Sequence, residues 1–190
     1  MDKFLIKGPC KIKGQVLISG SKNAALPILA STILFDKAVT IENLPRVRDI
    51  DTMLKLLKSL GSKIQYFNNK KIVKITKNKK QKIFASYSLV KTMRAGILVL
   101  GPMIAKHHKS ITSLPGGCLI GARPVNYHLS ALKKLGMKYE IKKGYIHAKS
   151  KGKLRGTNFK FSNISVGATE NSIIAACLAK GKTILKNCAI

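Results

Sequence analysis

Residues 20–45 read GSKNAALPILASTILFDKAVTIENLP, and the order of residue types in this stretch returns twice later in the chain. A Gly-Ser start leads into the apolar run Leu26–Leu34, which predicts a helix that is buried on most of its sides. A charged turn and the β-branched strand Val39–Glu42 follow, and the stretch closes at Asn43-Leu44-Pro45. An internal repeat of this kind indicates units that bury their apolar faces against one another.

The second and third copies keep the same order of elements. A charged turn separates helix from strand in both copies, as in the first. The second copy is predicted to hold the helix Ser88–Ala105, the strand Ser110–Thr112 and the corner Ser113-Leu114-Pro115; the third holds the helix Ser172–Ala179, the strand Thr183–Lys186 and Asn187.

Each complete copy is followed by a second helix and a pair of strands. Residues 49–61 place apolar side chains on one helical face, with Asp49 or Asp51 able to cap the start and Gly61 able to close the end. The unit therefore reads helix, strand, helix, strand, strand. In the first unit, the predicted strands are Lys63–Phe67 and Lys71–Ile75, joined at Asn68-Asn69. In the second unit, the predicted second helix is Val125–Leu135, ended by Gly136, and the strands are Lys138–Ile141 and Tyr145–Ala148.

The chain holds two such units and about half of a third, so we expect it to be the front part of something longer. Its charge is strongly basic, with 36 Lys and Arg against 7 Asp and Glu. Such a surface suggests nucleic acid, but 31 of the 36 basic residues are Lys, and Arg is the usual residue for bidentate base contacts. We therefore predict non-specific binding at low salt and no specific nucleic-acid partner.

No apolar run approaches the roughly 18 residues of a membrane span, and no secretory signal is visible at the N-terminus. We expect a cytoplasmic protein without a membrane partner. The 4 Cys form no CxxC pair and, with the 4 His, complete no zinc pattern, so we expect free thiols, no metal and no cofactor.

Four positions stand out as chemistry-bearing. Cys118, in the loop SLPGGCLIGARPV, is either a structural residue at a turn or a thiol activated by nearby cations. Lys22, at a predicted helix start, suits an anion site or is simply solvated. Arg94, within an apolar helix, and Arg123, before Pro124, either bind an anion or form structural ion pairs.

Four motifs, SGSKNAALPILA, LVKTMRAGILVLGP, LPGGCLIGARPV and SVGATENS, closely resemble in order and spacing those of the UDP-N-acetylglucosamine enolpyruvyl transferases. The resemblance covers essentially all of the chain; the sister family acting on shikimate 3-phosphate shares the fold but lacks the Cys loop. It implies an α/β fold, the inside-out α/β barrel with helices in the middle and sheets outside, here incomplete in its third repeat. It assigns residues 20–190 to the first domain and residues 1–19 to strands that normally pair with a second domain.

The resemblance also implies an activity, the transfer of the enolpyruvyl group of phosphoenolpyruvate to the 3'-hydroxyl of UDP-N-acetylglucosamine in peptidoglycan synthesis. Cys118 matches the general acid. The substrate-binding residues that it implies are Lys22, Asn23, Arg94, Arg123, Pro124, Val125, Asn126, Tyr127, Asn163, Ile164, Ser165 and Val166. Asn126 stands where the family commonly has Asp.

In the family, the base for the sugar hydroxyl and further arginines come from the second domain. We therefore expect no turnover from this chain alone, and activity only if a separate chain supplies that domain. Two other interpretations remain open at this point: a decayed fragment without catalysis, and a basic nucleic-acid-binding protein.

Overall fold

The computed structural model describes residues 3–78, 80–116 and 125–189 of the chain. Its helices are α1 (Lys22–Ser31), α2 (Arg48–Ser59), α3 (Tyr87–Val90), α4 (Leu100–His107), α5 (Asn126–Lys134) and α6 (Val166–Ala176). Its strands are β1 (Val39–Ile41), β2 (Ser62–Phe67), β3 (Ile72–Lys77), β4 (Phe84–Ala85), β5 (Lys109–Ser113), β6 (Met137–Lys142), β7 (Tyr145–Ser150), β8 (Asn158–Lys160) and β9 (Ile184–Lys186). Short 3-10 turns occupy Thr32–Leu34 and Arg94–Val99.

The strands form one sheet for each copy of the repeat. The first sheet has the order β1-β3-β2 and is antiparallel, and the second has the order β4-β5-β7-β6, with β4 parallel to β5. In the third copy β8 pairs in parallel with β9. The predicted order of helix, strand, helix, strand, strand is thus confirmed, and an additional strand precedes the inner helix in the second and third copies.

The helices divide into an inner and an outer set. The inner set comprises α1, the 3-10 turn at Arg94–Val99, α4 and α6, which contact one another. The outer helices lie between units, because α2 packs on α1 and α3 while α5 packs on α6. The helices therefore fill the middle and the sheets lie outside, which confirms the inside-out α/β arrangement predicted from the sequence.

Equivalent hydrogen bonds hold the corner of each complete unit. The amide of Leu44 donates to the carbonyl of Lys71 at 2.9 Å, and the amide of Leu114 donates to the carbonyl of Gly144 at 2.9 Å. In both units the acceptor lies in the turn of the strand pair. The repeated Leu-Pro corner therefore marks the same backbone contact twice.

The inner helix of the second unit differs from its prediction. Instead of one helix over Ser88–Ala105, the structure has α3, the 3-10 turn at Arg94–Val99 and then α4. Pro102 has no amide hydrogen and cannot make the helical bond to the carbonyl four residues earlier. Gly96 also lies so close to α3 that a β-carbon there would be 3.1 Å from Val90 Cα. The periodicity of apolar residues did not reveal this division.

The start of α2 also differs from its prediction, because the N-cap residue is Val47 and makes no side-chain cap bond. Asp49 and Asp51 lie instead in the first turn, where the helix dipole favours a negative charge. The predicted end is confirmed, since Gly61 follows the helix with a φ of +102°, a conformation that favours glycine.

Residues 3–19 form no helix or strand in the structure. Their apolar side chains are exposed, Phe4 at 97% and Leu17 at 99%. The assignment of residues 1–19 to strands of a second domain stays a prediction. None of the helices in the described part of the chain is both long and apolar enough to cross a membrane.

A charged cluster joins the first two units where their inner helices end. The carboxylate of Asp36 accepts a 2.7 Å hydrogen bond from Lys106 and lies 3.7 Å from the ammonium of Lys77. Lys77 is mostly buried, and its ammonium has no hydrogen-bond partner among the described residues. Burial lowers the pKa of Lys77, while Asp36 acts in the opposite direction. Asp36 is therefore the countercharge of a largely buried cation.

We expect Asp36→Asn to lower the thermal midpoint by a few degrees, because the buried Lys77 loses its countercharge. The double variant Asp36→Asn/Lys77→Met should recover most of this loss. Thermal unfolding at neutral pH measures both effects. Glu140→Gln is the matched control, since Glu140 pairs with the exposed Lys142 at 2.9 Å and lies on a strand. Equal losses from the two single variants would contradict the role assigned to Asp36.

Candidate active site

The N-terminus of α1 carries the first two predicted site residues, Lys22 and Asn23. Ser21 caps this helix by accepting a hydrogen bond from the amide of Ala24 at 3.4 Å. The Lys22 ammonium lies 3.0 Å from the Asp49 carboxylate at the start of α2. The side chains are 46% and 36% exposed, so the pair is worth at most about 1 kcal/mol. A more highly charged anion can therefore recruit Lys22 away from Asp49.

A second group of predicted residues meets where α5 and α6 begin. The side-chain amide of Asn163 donates a 2.7 Å hydrogen bond to the hydroxyl of Tyr127. This contact joins the segments 125–127 and 163–166. Val125 precedes α5 and is half-buried, and Asn126 is the first residue of that helix and exposed.

The start of α6 presents backbone amides to this region. Ser165 caps the helix by accepting from the amide of Ala168 at 3.4 Å. Ile164 and Val166, on either side of the cap, are 64% and 60% exposed. The amides of the first turn lack partners within the helix, and the helix dipole favours an anion there. The beginning of α6 is thus suited to a phosphate or carboxylate ligand.

A buried polar network lies behind this surface and centres on Asn171 of α6. The side-chain oxygen of Asn171 accepts from the amide of Gly101 at 2.8 Å, at the start of α4. Its side-chain nitrogen donates to the carbonyl of Ile97 at 3.1 Å and to Nδ1 of His128 at 3.1 Å. Because these partners fix which end of the amide is the donor, Nδ1 of His128 is an acceptor and the proton of the neutral ring is on Nε2.

The ring of His128 is enclosed by α6. A β-carbon on Gly167 would lie 3.3 Å from its Cε1 atom, so glycine permits the close approach of α6 to this ring. Burial lowers the pKa of His128 from 6.5 to about 4. The ring is therefore neutral at neutral pH and acts as a fixed spacer between α5 and α6.

Arg94 is half-buried at the first position of the 3-10 turn. Gly116 lies close to Lys91, which precedes Arg94 by three residues, because a β-carbon on Gly116 would be 2.8 Å from the carbonyl oxygen of Lys91. The predicted residues Cys118, Arg123 and Pro124 lie outside the described residues. Their roles stay predictions.

The inner helices belong to equivalent positions of a repeat, so α1 and α6 are expected to run in the same direction. Their N-termini, with Lys22 on one and Asn163–Val166 before the other, then face the same end of the domain. This arrangement offers a basic side chain and free amides to an anionic ligand. Over residues 3–78, 80–116 and 125–189, no group of three His, Cys, Asp or Glu side chains is placed to hold a metal ion.

Sequence reasoning missed three residues that support this surface: Asp49, His128 and Asn171. Asp49 is 27 positions from Lys22, and only the packing of α2 on α1 brings the two together. Asn171 carried no local signal, because it stands beside Glu170 and Ser172 in α6 and the sequence does not show which of these polar residues faces the core.

We expect the free energy of unfolding to fall as the pH is lowered from about 6.5 to about 4, because the unfolded chain protonates His128 before the folded chain does. The pKa difference corresponds to roughly 3 kcal/mol at the acid end of this range. Urea unfolding of the parent and of His128→Gln measures the effect, and the variant should show a flatter pH dependence. The control His147→Gln, on β7 of the second sheet, should keep the pH dependence of the parent. An unchanged pH dependence in His128→Gln would contradict the role assigned to His128.

Solved structures with a similar fold include an enolpyruvyl transferase and an EPSP synthase. The chain is similar to the enolpyruvyl transferase NikO from Streptomyces tendae, with a TM-score of 0.74 and 14% identity, over 88% of this chain and 39% of that one. It is also similar to EPSP synthase from Acinetobacter baumannii, with a TM-score of 0.68 and 15% identity, over 90% of this chain and 40% of that one. At these identities the likeness defines the class of fold alone.

The sequence assigns the family. Residues 6–190 match the model for EPSP synthase (3-phosphoshikimate 1-carboxyvinyltransferase), and the chain belongs to that family. Two curated relatives carry the name UDP-N-acetylglucosamine 1-carboxyvinyltransferase: one from Pelagibacter ubique, 63% identical over 190 residues, and one from Pseudoalteromonas atlantica, 52% identical over 189 residues. Each alignment covers the whole of this chain but only 45% of the length of the relative.

Proposed function

We propose that this chain provides the first-domain half of an active site that transfers the enolpyruvyl group of phosphoenolpyruvate to the 3'-hydroxyl of UDP-N-acetylglucosamine. The observation that carries the proposal is the 63% identity to a relative named for this sugar nucleotide, over the whole of this chain. The Cys loop at 113–125, which the shikimate enzymes lack, supports the same substrate.

The reaction has two balanced steps. In the first, the sugar hydroxyl oxygen forms a bond to C2 of phosphoenolpyruvate, the hydroxyl loses its proton, and C3 gains one from an acid. In the second, the bond from C2 to the phosphate oxygen breaks, C3 loses a proton, and phosphate leaves. We assign the acid of the first step to Cys118, whose thiol would be brought over the substrates by its glycine-flanked loop.

The other assigned residues bind anionic parts of the substrates. Lys22, Asn23 and Arg94 would hold the phosphate and carboxylate of phosphoenolpyruvate, where positive charge stabilises the departing phosphate. Lys22 can leave Asp49 and bind the phosphate at little cost in free energy, because its exposed ion pair with Asp49 is weak and a phosphate dianion is a stronger partner.

Two segments would hold the sugar nucleotide: Arg123–Tyr127 at the start of α5, and Asn163–Val166 at the start of α6. The hydrogen bond between Asn163 and Tyr127 fixes their separation. Asn126, in place of the usual Asp, lacks a carboxylate, and its absence would weaken an interaction with the nucleotide part of the substrate or with the Cys loop.

The resemblance assigns the base for the sugar hydroxyl to the second domain of the family. We therefore expect no release of phosphate when this chain alone is mixed with the two substrates. Addition of a polypeptide that corresponds to the remainder of the Pelagibacter ubique relative should restore turnover. In that mixture Cys118→Ala should abolish phosphate release, while Cys10→Ala, at an exposed position, should not. Turnover by this chain alone, or full activity of Cys118→Ala, would overturn these assignments.

Binding can be tested apart from turnover. Tyr127→Phe removes the hydroxyl that orders Asn163, and we expect the Kd for UDP-N-acetylglucosamine to rise about fivefold, the equivalent of one ordinary hydrogen bond. Isothermal titration of the 190-residue chain measures this constant. Tyr66→Phe, on the first sheet, is the matched control and should leave the constant unchanged. No detectable binding of the sugar nucleotide to the parent chain would contradict the proposal, and the decayed-fragment interpretation would then stand.

A further inference from the structure

The outer face of the second sheet carries a row of three lysines in register. Lys109 of β5 is paired with Lys149 of β7, and Lys149 is also paired with Lys138 of β6. All three side chains are exposed. Adjacent strands are about 4.8 Å apart, so three positive charges lie side by side across roughly 10 Å. Like charges directly opposite one another destabilise a sheet.

The surrounding residues do not neutralise this row. Among the described residues, no carboxylate forms a salt bridge with Lys109, Lys138 or Lys149. The nearest acidic residue in the sheet, Glu140, lies one row away and is paired with Lys142 at 2.9 Å. Lys142 and, more weakly, Lys149 lower the pKa of Glu140, so this single carboxylate offsets only part of the positive charge of the row.

Two ordinary explanations account for the row incompletely. Lysine protects exposed sheet edges from aggregation, but only Lys138 lies on an edge strand, because β5 and β7 are internal in the order β4-β5-β7-β6. A general abundance of lysine predicts similar rows elsewhere. In the first sheet, the pair at the same position of the hairpin is Lys63 with Thr76, and the next outer row is Thr40, Lys74 and Gln65, so each row holds a single lysine.

The row borders a shallow groove of about 300 Å³, the lower limit for small-molecule sites. Beside the three lysines, the groove is lined by His147, by the apolar side chains of Ile83 and Ile111, and by one acidic residue, Glu140, which is paired with Lys142. It thus offers closely spaced positive charge next to an apolar surface. Because β5 begins where α4 ends, the groove lies away from the helix N-termini of the candidate active site.

We propose that this groove binds a nucleotide-sized ligand through its diphosphate or triphosphate group. The phosphates lie along Lys109, Lys149 and Lys138, and the body of the ligand rests on Ile83 and Ile111. Binding removes the repulsion within the row, so the ligand stabilises the second sheet.

The test is a titration of the isotope-labelled 190-residue chain with inorganic triphosphate and with ATP at about 0.15 M salt, followed by NMR. UDP-N-acetylglucosamine is left out, because its own diphosphate could occupy the groove, and the positions of the amide shifts separate binding at the groove from binding at the N-termini of α1 and α6. We expect the largest amide shifts on β5, β6 and β7. ATP should bind more tightly than triphosphate if the apolar lining contributes as proposed.

The decisive comparison removes equal charge at two places. The triple variant K109Q/K138Q/K149Q should bind ATP roughly tenfold more weakly and should be at least as stable as the parent, because the repulsion is gone. The control K55Q/K63Q/K74Q removes three exposed lysines from α2 and the first sheet and should retain parental affinity. Equal weakening by both triples, shifts that map elsewhere, or a single-stranded oligonucleotide that binds the groove more tightly than ATP would overturn the proposal.

Discussion

The side chain of Asn171 is the interaction on which the arrangement of the inner helices depends. One buried amide accepts from Gly101 at the start of α4 and donates to Ile97 and to His128 of α5. Its replacement by an apolar residue would leave the Gly101 amide and Nδ1 of His128 without this partner, each costing roughly 1–3 kcal/mol, while the Ile97 carbonyl would keep its bond from the Leu100 amide. This network therefore ties α4, α5 and α6 into a single geometry, which apolar packing alone does not specify.

That geometry determines what the domain presents to a ligand. Because Asn171 and Gly167 lie one helical turn apart on α6, both face the ring of His128, and the beginning of α6 is held against α5. The bond between Asn163 and Tyr127 then forms at the surface above the network. The buried network is neutral, whereas the surface near the N-termini attracts anions, so stability and binding rest on different groups.

Several of the few acidic residues form ion pairs with particular lysines in this chain, whose formal charge is +29. Asp36 compensates the buried Lys77 between two units, and Asp49 holds Lys22 at the start of α1. Glu140 pairs with Lys142 beside the lysine row. Most of the lysines are exposed, on helices and connecting segments as well as on strands, where water screens their charge. The row at Lys109, Lys149 and Lys138 differs because its members are adjacent.

The sequence by itself determined the repeat, the class of fold, the order of the elements and the turns at Asn68–Asn69, Gly61 and Gly136. The repeat, the order of the elements and the turns depend on apolar periodicity and on residues that tolerate positive φ, which are local properties, whereas the class of fold was implied by the resemblance of four motifs to a known family. The tertiary structure decided the division of the inner helix at Arg94–Val99, the partner of Lys22 and the network at Asn171. The last two depend on contacts between residues far apart in the chain, Lys22 with Asp49 at a separation of 27 and Asn171 with Gly101 at a separation of 70. The division of the inner helix depends on the close packing of Gly96 against Val90 of α3. Periodicity records which face of a helix is apolar, but it does not record which polar group meets that face across the core.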